Sequence, residues 1–248
     1  MTGTQIEMPG TASGGRYLIP PVARGLQALH LTRGSPAEAA LNRARGGCGD
    51  GSVVGSPASV AGYISCRGLS DFIQSRMREY DELTFFTVAK TNASLADDAN
   101  CPMYYGTYRN TSVDLSATSY GVGVYLSTAA DVRGIASRLD GSVPPVRGSF
   151  PSVITDGSHR SAWALYVQTV TPDETLLCDL TNGLTGTVRT GTRDKSVGLF
   201  RIGSGYSDLG GTCQIAWWQG HSVALSDSEI EANAAWIADD LAAYGIMI

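Results

Sequence analysis

The stretch from Leu83 to Lys90, Leu-Thr-Phe-Phe-Thr-Val-Ala-Lys, constrains the fold more than any other. Its β-branched and aromatic residues fall on both faces of an extended chain, so a strand here needs cover on two sides. A central strand of a sandwich meets that need, with the opposing sheet over one face and loops or a partner over the other.

Other segments repeat the strand signal. Tyr17 to Val22 is extended, because Pro20 and Pro21 exclude a helix, and Gly25 to Leu31 alternates in part. Two short candidates between Val53 and Arg67 are punctuated by Gly55 and Pro57. Phe72-Ile73, Met103 to Tyr108, Val122 to Leu126, Leu176 to Leu180 and Leu199 to Ile202 add more. Trp163 to Val170 alternates well, with Trp163, Leu165 and Val167 on one face and Tyr166 and Gln168 on the other. Ser35 to Arg45 is at most one turn of helix with Pro36 in its first turn. Thr91 to Pro102 and Asp140 to Asp156 read as loops.

About ten short strands and one convincing helix predict an all-β sandwich or jelly roll, where a βαβ fold would alternate the two. The 30 glycines and 10 prolines among 248 residues suit the many turns this needs, and a 43% hydrophobic content supplies a core for one sizeable domain. Residues 1–16 are polar and rich in Gly, Thr and Ser, and are expected to form an N-terminal arm ahead of a domain at 17–248.

The helix is marked residue by residue. Ser226 and Glu229 form an S-x-x-E capping box, in which each side chain satisfies a backbone donor that the first turn leaves open. Ile230, Ala234, Ile237, Leu241 and Tyr244 then make one apolar stripe, and Gly245 supplies the stop. A helix with one apolar face has to lie on something larger, so it is expected on, or across the end of, the sandwich.

Several function classes lose support. Eighteen basic against 23 acidic residues give a net charge of −5, so no nucleic-acid partner is expected. No apolar run approaches the roughly 18 to 20 residues of a membrane span. The first ten residues lack the basic start and apolar centre of a signal peptide, which predicts synthesis in a cytoplasm without secretion by a signal peptide. Five cysteines with no close spacing read as free, mostly buried thiols. His30, His159 and His221 are isolated, and Asn92, Asp97, Asp98 and Asn100 miss the calcium-loop spacing, so no metal is assigned. Neither a P-loop nor a dinucleotide fingerprint occurs, and no cofactor is expected.

No catalytic residue is assigned either. No G-x-S-x-G elbow occurs, the nearest lookalike being Gly203-Ser204-Gly205. Asp227, Glu229 and Glu231 would share one face of a strand, as a glycosidase pair requires. The capping box places them on the helix instead, as cap and surface charge.

Aromatic residues give the better lead. Tyr104, Tyr105 and Tyr108 cluster, Tyr206 follows Leu199 to Ile202, and Trp217 and Trp218 are adjacent on a late strand, so only one of the two faces the core. An exposed ring beside polar side chains is a sugar platform. Tyr104, Tyr105, Tyr108, Tyr206 and Trp218 are the candidate ligand-binding residues; the alternative places most of these rings in the core or in subunit contacts.

Phe-Arg-Ile-Gly-Ser (200 to 204), Gln-Ile-Ala-Trp-Trp (214 to 218) and Ala-Leu-Ser-Asp-Ser-Glu-Ile (224 to 230) together resemble the end of concanavalin A-like, laminin G-like jelly rolls. Val-Val-Gly-Ser-Pro (53 to 57) and the Leu83 to Lys90 run are similar to that family's opening strands. The resemblance spans residues 20–248 and implies a concanavalin A-like jelly-roll sandwich with a C-terminal α-helix. Chains with this short N-terminus and closing Tyr-Gly-Ile resemble proteins of tailed bacteriophages and prophages. The resemblance thus implies a non-enzymatic virion component of the tail or its fibres, a homo-oligomer and by analogy a trimer, that binds a host-surface glycan or another virion protein. A purely structural decoration or assembly protein is the alternative, and a polysaccharide-degrading enzyme a third. The family's calcium ligands and the glucanase branch's carboxylate motif have no clear counterparts here.

Overall fold

Leu83–Lys90 lies where its two-sided pattern requires, in the middle of a sheet covered on both faces, and its first seven residues are buried. The computed structural model describes residues 17–143 and 145–248, together with Thr4–Gln5, which pairs antiparallel with Leu18–Ile19. The N-terminal arm expected at 1–16 otherwise lies outside the described residues.

The first half of the chain supplies strands β1 (Leu26–His30), β2 (Ser52–Val54), β3 (Ala58–Val60), β4 (Tyr63–Arg67), β5 (Phe72–Gln74), β6 (Leu83–Lys90) and β7 (Met103–Gly106). The second half supplies β8 (Val122–Leu126), β9 (Val132–Ala136), β10 (Ser152–Ile154), β11 (Ala164–Val170), β12 (Glu174–Asp179), β13 (Arg201–Ile202) and β14 (Thr212–His221). One sheet runs β12-β11-β6-β14-β4-β3, with β1 also paired to β14; the other runs β10-β9-β8-β7-β13-β5-β2. All of these pairs are antiparallel. The helices are α1 (Pro36–Ala40) and the C-terminal α2 (Asp227–Ala242). The all-β sandwich with a C-terminal helix is therefore the observed architecture.

The apolar residues sort into three layers. Between the sheets lie Ile64, Ile73, Phe85, Tyr105, Phe200 and Trp218. On the outer face of the first sheet, Phe86, Val88, Leu165, Val167 and Trp217 meet Trp236, Ile237 and Leu241 of α2. This follows from strand alternation, since Phe85 and Phe86 point to opposite faces, and it gives β6 its second cover. A smaller layer on the outer face of the second sheet contains Met103, Tyr108 and Ile135.

One bulge decides which tryptophan is which. Along β14, Ile215 opposes Ala89 but Trp217 opposes Val88, so Ala216 is an extra residue. Ala216 and Trp217 consequently both face the helix, and Trp218 turns inward. Strict alternation from an inward Ile215 would have sent Trp218 outside; the bulge reverses that. Trp218 is fully buried between the sheets, which corrects its assignment to a ligand platform. Trp217 packs edge-on against Trp236 at 5.1 Å between ring centroids, an arrangement worth about 0.5–1.5 kcal/mol beyond area burial.

Helix α2 starts with the predicted capping box: Ser226 accepts from the Glu229 amide, and the Glu229 carboxylate accepts from the Ser226 amide. After α2, Gly245 supplies the expected stop in the left-handed conformation, with φ +72. The buried stripe differs from the expected one. Trp236 and Asn233 are buried with Ile237 and Leu241, whereas Tyr244 is 48% exposed, with the Arg33 guanidinium 4.3 Å from its ring centre. Asn233 accepts from the Val22 amide at 3.0 Å and donates to the Val22 carbonyl at 3.2 Å, Arg24 grips Glu229 with two nitrogens, and Arg33 pairs with Asp240. Three polar clamps thus hold the 22–33 segment against α2.

Several strands lie in segments that the sequence reads as loop or leaves without a strand pattern. The Asp140 to Asp156 region contains Arg147–Gly148 and β10, and β9 pairs with both β8 and β10. Gly134 and Arg133 interrupt the apolar pattern of β9. A Cβ on Gly134 would lie 2.9 Å from the Leu177 Cβ, so close packing between the sheets requires glycine there. The five cysteines are free, with Cys66, Cys101 and Cys213 buried, and burial raises the Cys66 thiol to about 12. Among the described residues, no helix is long and apolar enough to cross a membrane.

Candidate functional site

The outer face of the second sheet carries an open aromatic cleft. In β8, Val124 points between the sheets, so its neighbour Tyr125 points outward. The ring of Tyr108, in the turn after β7, lies 5.9 Å from Tyr125 and 6.2 Å from Tyr120. Tyr108 is 9% exposed and forms the floor, while Tyr120 and Tyr125 are half-buried.

Charged and hydroxyl side chains surround these rings. Arg109 stands beside the Tyr108 ring, 5.5 Å from its centre, and pairs with Asp208. Arg133 pairs with Asp131 at 3.0 Å, and its Nε is buried without a hydrogen-bond partner among the described residues. The cleft has two lobes that meet at Arg109. One of about 160 Å³ is bounded by Tyr108, Tyr125, Ser127, Arg133 and Asp208, and the other of about 370 Å³ by Thr118, Tyr120 and Ser207. Burial raises the Tyr108 hydroxyl, so it remains a neutral donor and acceptor at neutral pH.

The loops around the cleft are held in conformations that cost energy. Arg109 and Asp208 both have left-handed backbone, with φ +56 and +68, and so does Ala130 with φ +60. Each such residue costs on the order of 1 kcal/mol, and strain of this kind concentrates at ligand sites. Two residues in this state, Arg109 and Asp208, pair with each other in the lining of the cleft. Below them, Glu79 is buried, accepts from Arg193 at 2.7 Å and from the Thr107 hydroxyl, and thereby holds the strand end that leads into Tyr108. Burial raises the Glu79 carboxyl against the opposing pull of Arg193.

The sequence-based candidates fall in different parts of the structure. Tyr108 lies in the cleft. Tyr104 and Tyr105 are 0% and 1% exposed in the sandwich interior, where Tyr105 donates to Gln168 at 2.7 Å and Tyr104 stacks on Tyr166 at 5.4 Å. A fully covered ring offers no face to a ligand, so Tyr104, Tyr105 and Trp218 are core residues. Tyr206 is half-buried and bound internally: its hydroxyl donates to the Leu199 carbonyl and accepts from the Leu199 amide, and Arg201 lies 3.6 Å from its ring centre. Its amide donates to the Tyr108 carbonyl at 2.9 Å, so Tyr206 anchors the cleft loop from behind. Tyr120, Tyr125, Arg109 and Arg133 went unread in the sequence. For Tyr125 the signal was present, as the one large outward residue of an otherwise apolar strand.

The remaining candidate chemistry takes structural roles. His30 and His221 are buried, and burial lowers both, His30 to about 4. Asp97 caps a short turn at Asp98–Asn100. Among the described residues, no group of three or more His, Cys, Asp or Glu side chains is placed to hold a metal. Glu229 is held near 2 by the hydrogen bond from Arg24 and by the Ser226 amide, in keeping with its capping role.

No family model matches the sequence, and no curated protein matches it. Solved structures do. The binding domain of botulinum neurotoxin serotype D superposes with a TM-score of 0.61 at 10% identity over 88% of this chain and 52% of its own. A Trypanosoma rangeli sialidase in complex with 2,3-difluorosialic acid superposes at 0.57 with 14% identity, over 95% of this chain and 36% of its own. The chain thus spans about half the length of the toxin domain and about a third of the sialidase. At such identities the likeness establishes the fold alone, a β-sandwich.

Proposed function

We propose that the chain is a carbohydrate-binding β-sandwich of a tailed-phage or prophage virion, and that the Tyr108–Tyr120–Tyr125 cleft holds a host-surface glycan. The observation that carries the proposal is the cleft itself: three tyrosine rings on an open sheet face, ringed by Arg109, Arg133 and hydroxyl groups, with a strained loop pair at its mouth. Ring faces accept the apolar side of a pyranose, and the surrounding donors and acceptors take its hydroxyls. The two arginines also suit an acidic sugar. The structural neighbours include the receptor binding domain of botulinum neurotoxin D and a sialidase in complex with 2,3-difluorosialic acid, which supports a sugar ligand. The virion setting rests on the sequence resemblance at 200–204, 214–218 and 224–230.

In this reading the protein is non-enzymatic. Of the two carboxylates that line the cleft, Asp98 and Asp208, the second is engaged by Arg109, which suits positioning more than proton transfer. A glycan array probed with the purified chain and with the Arg109→Ala and Tyr125→Ala variants tests the proposal. Binding to a defined glycan class that both variants weaken by at least about tenfold is expected; binding equally strong in both variants, or none to any glycan, contradicts it.

A second reading, a structural assembly protein, is favoured by one feature. Leu115 is 73% exposed at φ +58, on a turn pinned by Asp114 and clamped by Arg147, and Val113 and Val146 nearby are also exposed. Rigid aliphatic tips of this kind suit burial against a neighbouring subunit or another virion protein. The reading predicts a homo-oligomer, such as a trimer, whose mass falls to that of the monomer on Leu115→Asp; a wild-type chain that is monomeric at all concentrations contradicts self-association.

A further inference from the structure

A groove lies on the opposite side of the molecule from the tyrosine cleft, between α2 and the outer face of β11 and β12. Its widest part, about 340 Å³, has an apolar floor of Val167, Leu176, Leu225 and Ile230. Three carboxylates, Glu174, Asp227 and Glu231, stand on its rim. The groove continues along the helix past Leu165, Ala234, Ala238 and Ile248, with Leu180, 40% exposed, bordering both parts.

Helical spacing explains the arrangement. Residues 227, 230, 231, 234 and 238 recur at steps of three and four and share one face of α2, so both acids and the small alanines meet the groove. Of the other acids of the helix, Glu229 is bound by Arg24 and Asp240 by Arg33, and Asp239 is absent from the groove lining. Among the described residues none of Glu174, Asp227 and Glu231 forms an ion pair. The helix dipole favours Asp227 and Glu231 near its start, yet two like charges four residues apart repel, and Glu174 comes from another element. Three unpaired carboxylates beside apolar surface form a negative end to an apolar channel.

We propose that this groove docks an extended segment of a protein partner that carries a lysine or arginine at one end and aliphatic side chains along the rest. The long aliphatic stem of such a cation lies on Leu176 and Ile230 while its charged head meets the carboxylates. From Asp227 to Ala238 the helix advances about 16 Å, a length that about five extended residues span. Small residues at 234 and 238 let the partner's backbone approach the helix closely. This docking is independent of the sugar cleft and uses none of its residues.

The test is a titration of the full chain, followed by amide NMR shifts, with acetyl-Lys-Leu-Ala-Leu-Leu-amide, the reversed sequence acetyl-Leu-Leu-Ala-Leu-Lys-amide, and the glutamate analogue of each. At least one lysine peptide is expected to move the amides of Leu176, Ile230 and Ala234, and to bind about tenfold more tightly than its glutamate analogue. That preference should shrink in high salt. It should also disappear in the Asp227→Asn/Glu231→Gln double variant, whose melting temperature serves as the folding control. Neither lysine peptide moving those amides at about 2 mM, or the glutamate analogues binding as well, or the double variant keeping the preference, overturns the proposal.

Discussion

Two groups of aromatic rings in this molecule have similar composition and opposite roles. Between the sheets, Phe85 lies 4.9 Å from Tyr105, 4.7 Å from Phe200 and 5.7 Å from Trp218, and all four are at most 1% exposed. On the outer sheet face, Tyr108, Tyr120 and Tyr125 are spaced at about 6 Å under loops that leave an opening. The interior tyrosine has its hydroxyl satisfied by Gln168 and its ring enclosed by carbon, so it contributes to stability alone. The outer rings are bordered by Arg109, held on left-handed backbone, and by Arg133 on a strand, and part of their surface remains for a ligand. What separates a platform from a core is the cover over the ring, and that cover is set by strand parity and by loops distant in sequence.

Truncation should separate the two groups most strongly. Trp218→Ala removes a fully buried ring from the inter-sheet layer and is expected to cost about 3–5 kcal/mol, read from urea unfolding. A loss below about 1 kcal/mol would mean that the interior cluster is looser than its burial implies.

Acid probes the same interior more gently. His30 packs beside Trp218 at 5.7 Å between ring centres, and burial lowers it to about 4 from an ordinary 6.5. The folded state therefore binds fewer protons than the unfolded state between those values. The stabilisation is complete above about pH 6.5 and is lost as pH falls toward about 4, by on the order of 3 kcal/mol. His221 is shifted in the same direction by burial, so the comparison should be made with His30→Gln, which should flatten the decline. An equal decline in that variant would assign the acid sensitivity elsewhere.

The outer cluster should give the smallest stability effect. Tyr125→Ala is expected to change unfolding free energy by about 1 kcal/mol or less while lowering glycan affinity by at least about tenfold. A stability loss as large as that of Trp218→Ala would erase the distinction between the two regions.

The sequence carried much of the fold and little of the cleft. Leu83–Lys90 and Trp163 to Val170 showed their faces because each position obeys period two, and Ser226 with Glu229 marked the start of α2 because capping is local chemistry. The orientation of Trp218 was hidden by one extra residue at Ala216, which reverses every face beyond it. Strand β9 was hidden because Gly134 serves a neighbour in the opposing sheet, a contact no local pattern records. The cleft joins Tyr108, Tyr120, Arg133 and Asp208 from four loops or strands, and only the packed fold brings them together.

The most direct test of the account is ¹⁹F NMR of the chain labelled with 3-fluorotyrosine, titrated with the glycan selected on the array. Resonances assigned by single Tyr→Phe substitutions to Tyr108, Tyr120 and Tyr125 should shift together on saturation, while those of Tyr104, Tyr105 and Tyr166 stay within linewidth. Shifts confined to interior tyrosines, or a bound glycan that leaves all three cleft resonances unmoved, would contradict the assignment of the outer cleft as the ligand site.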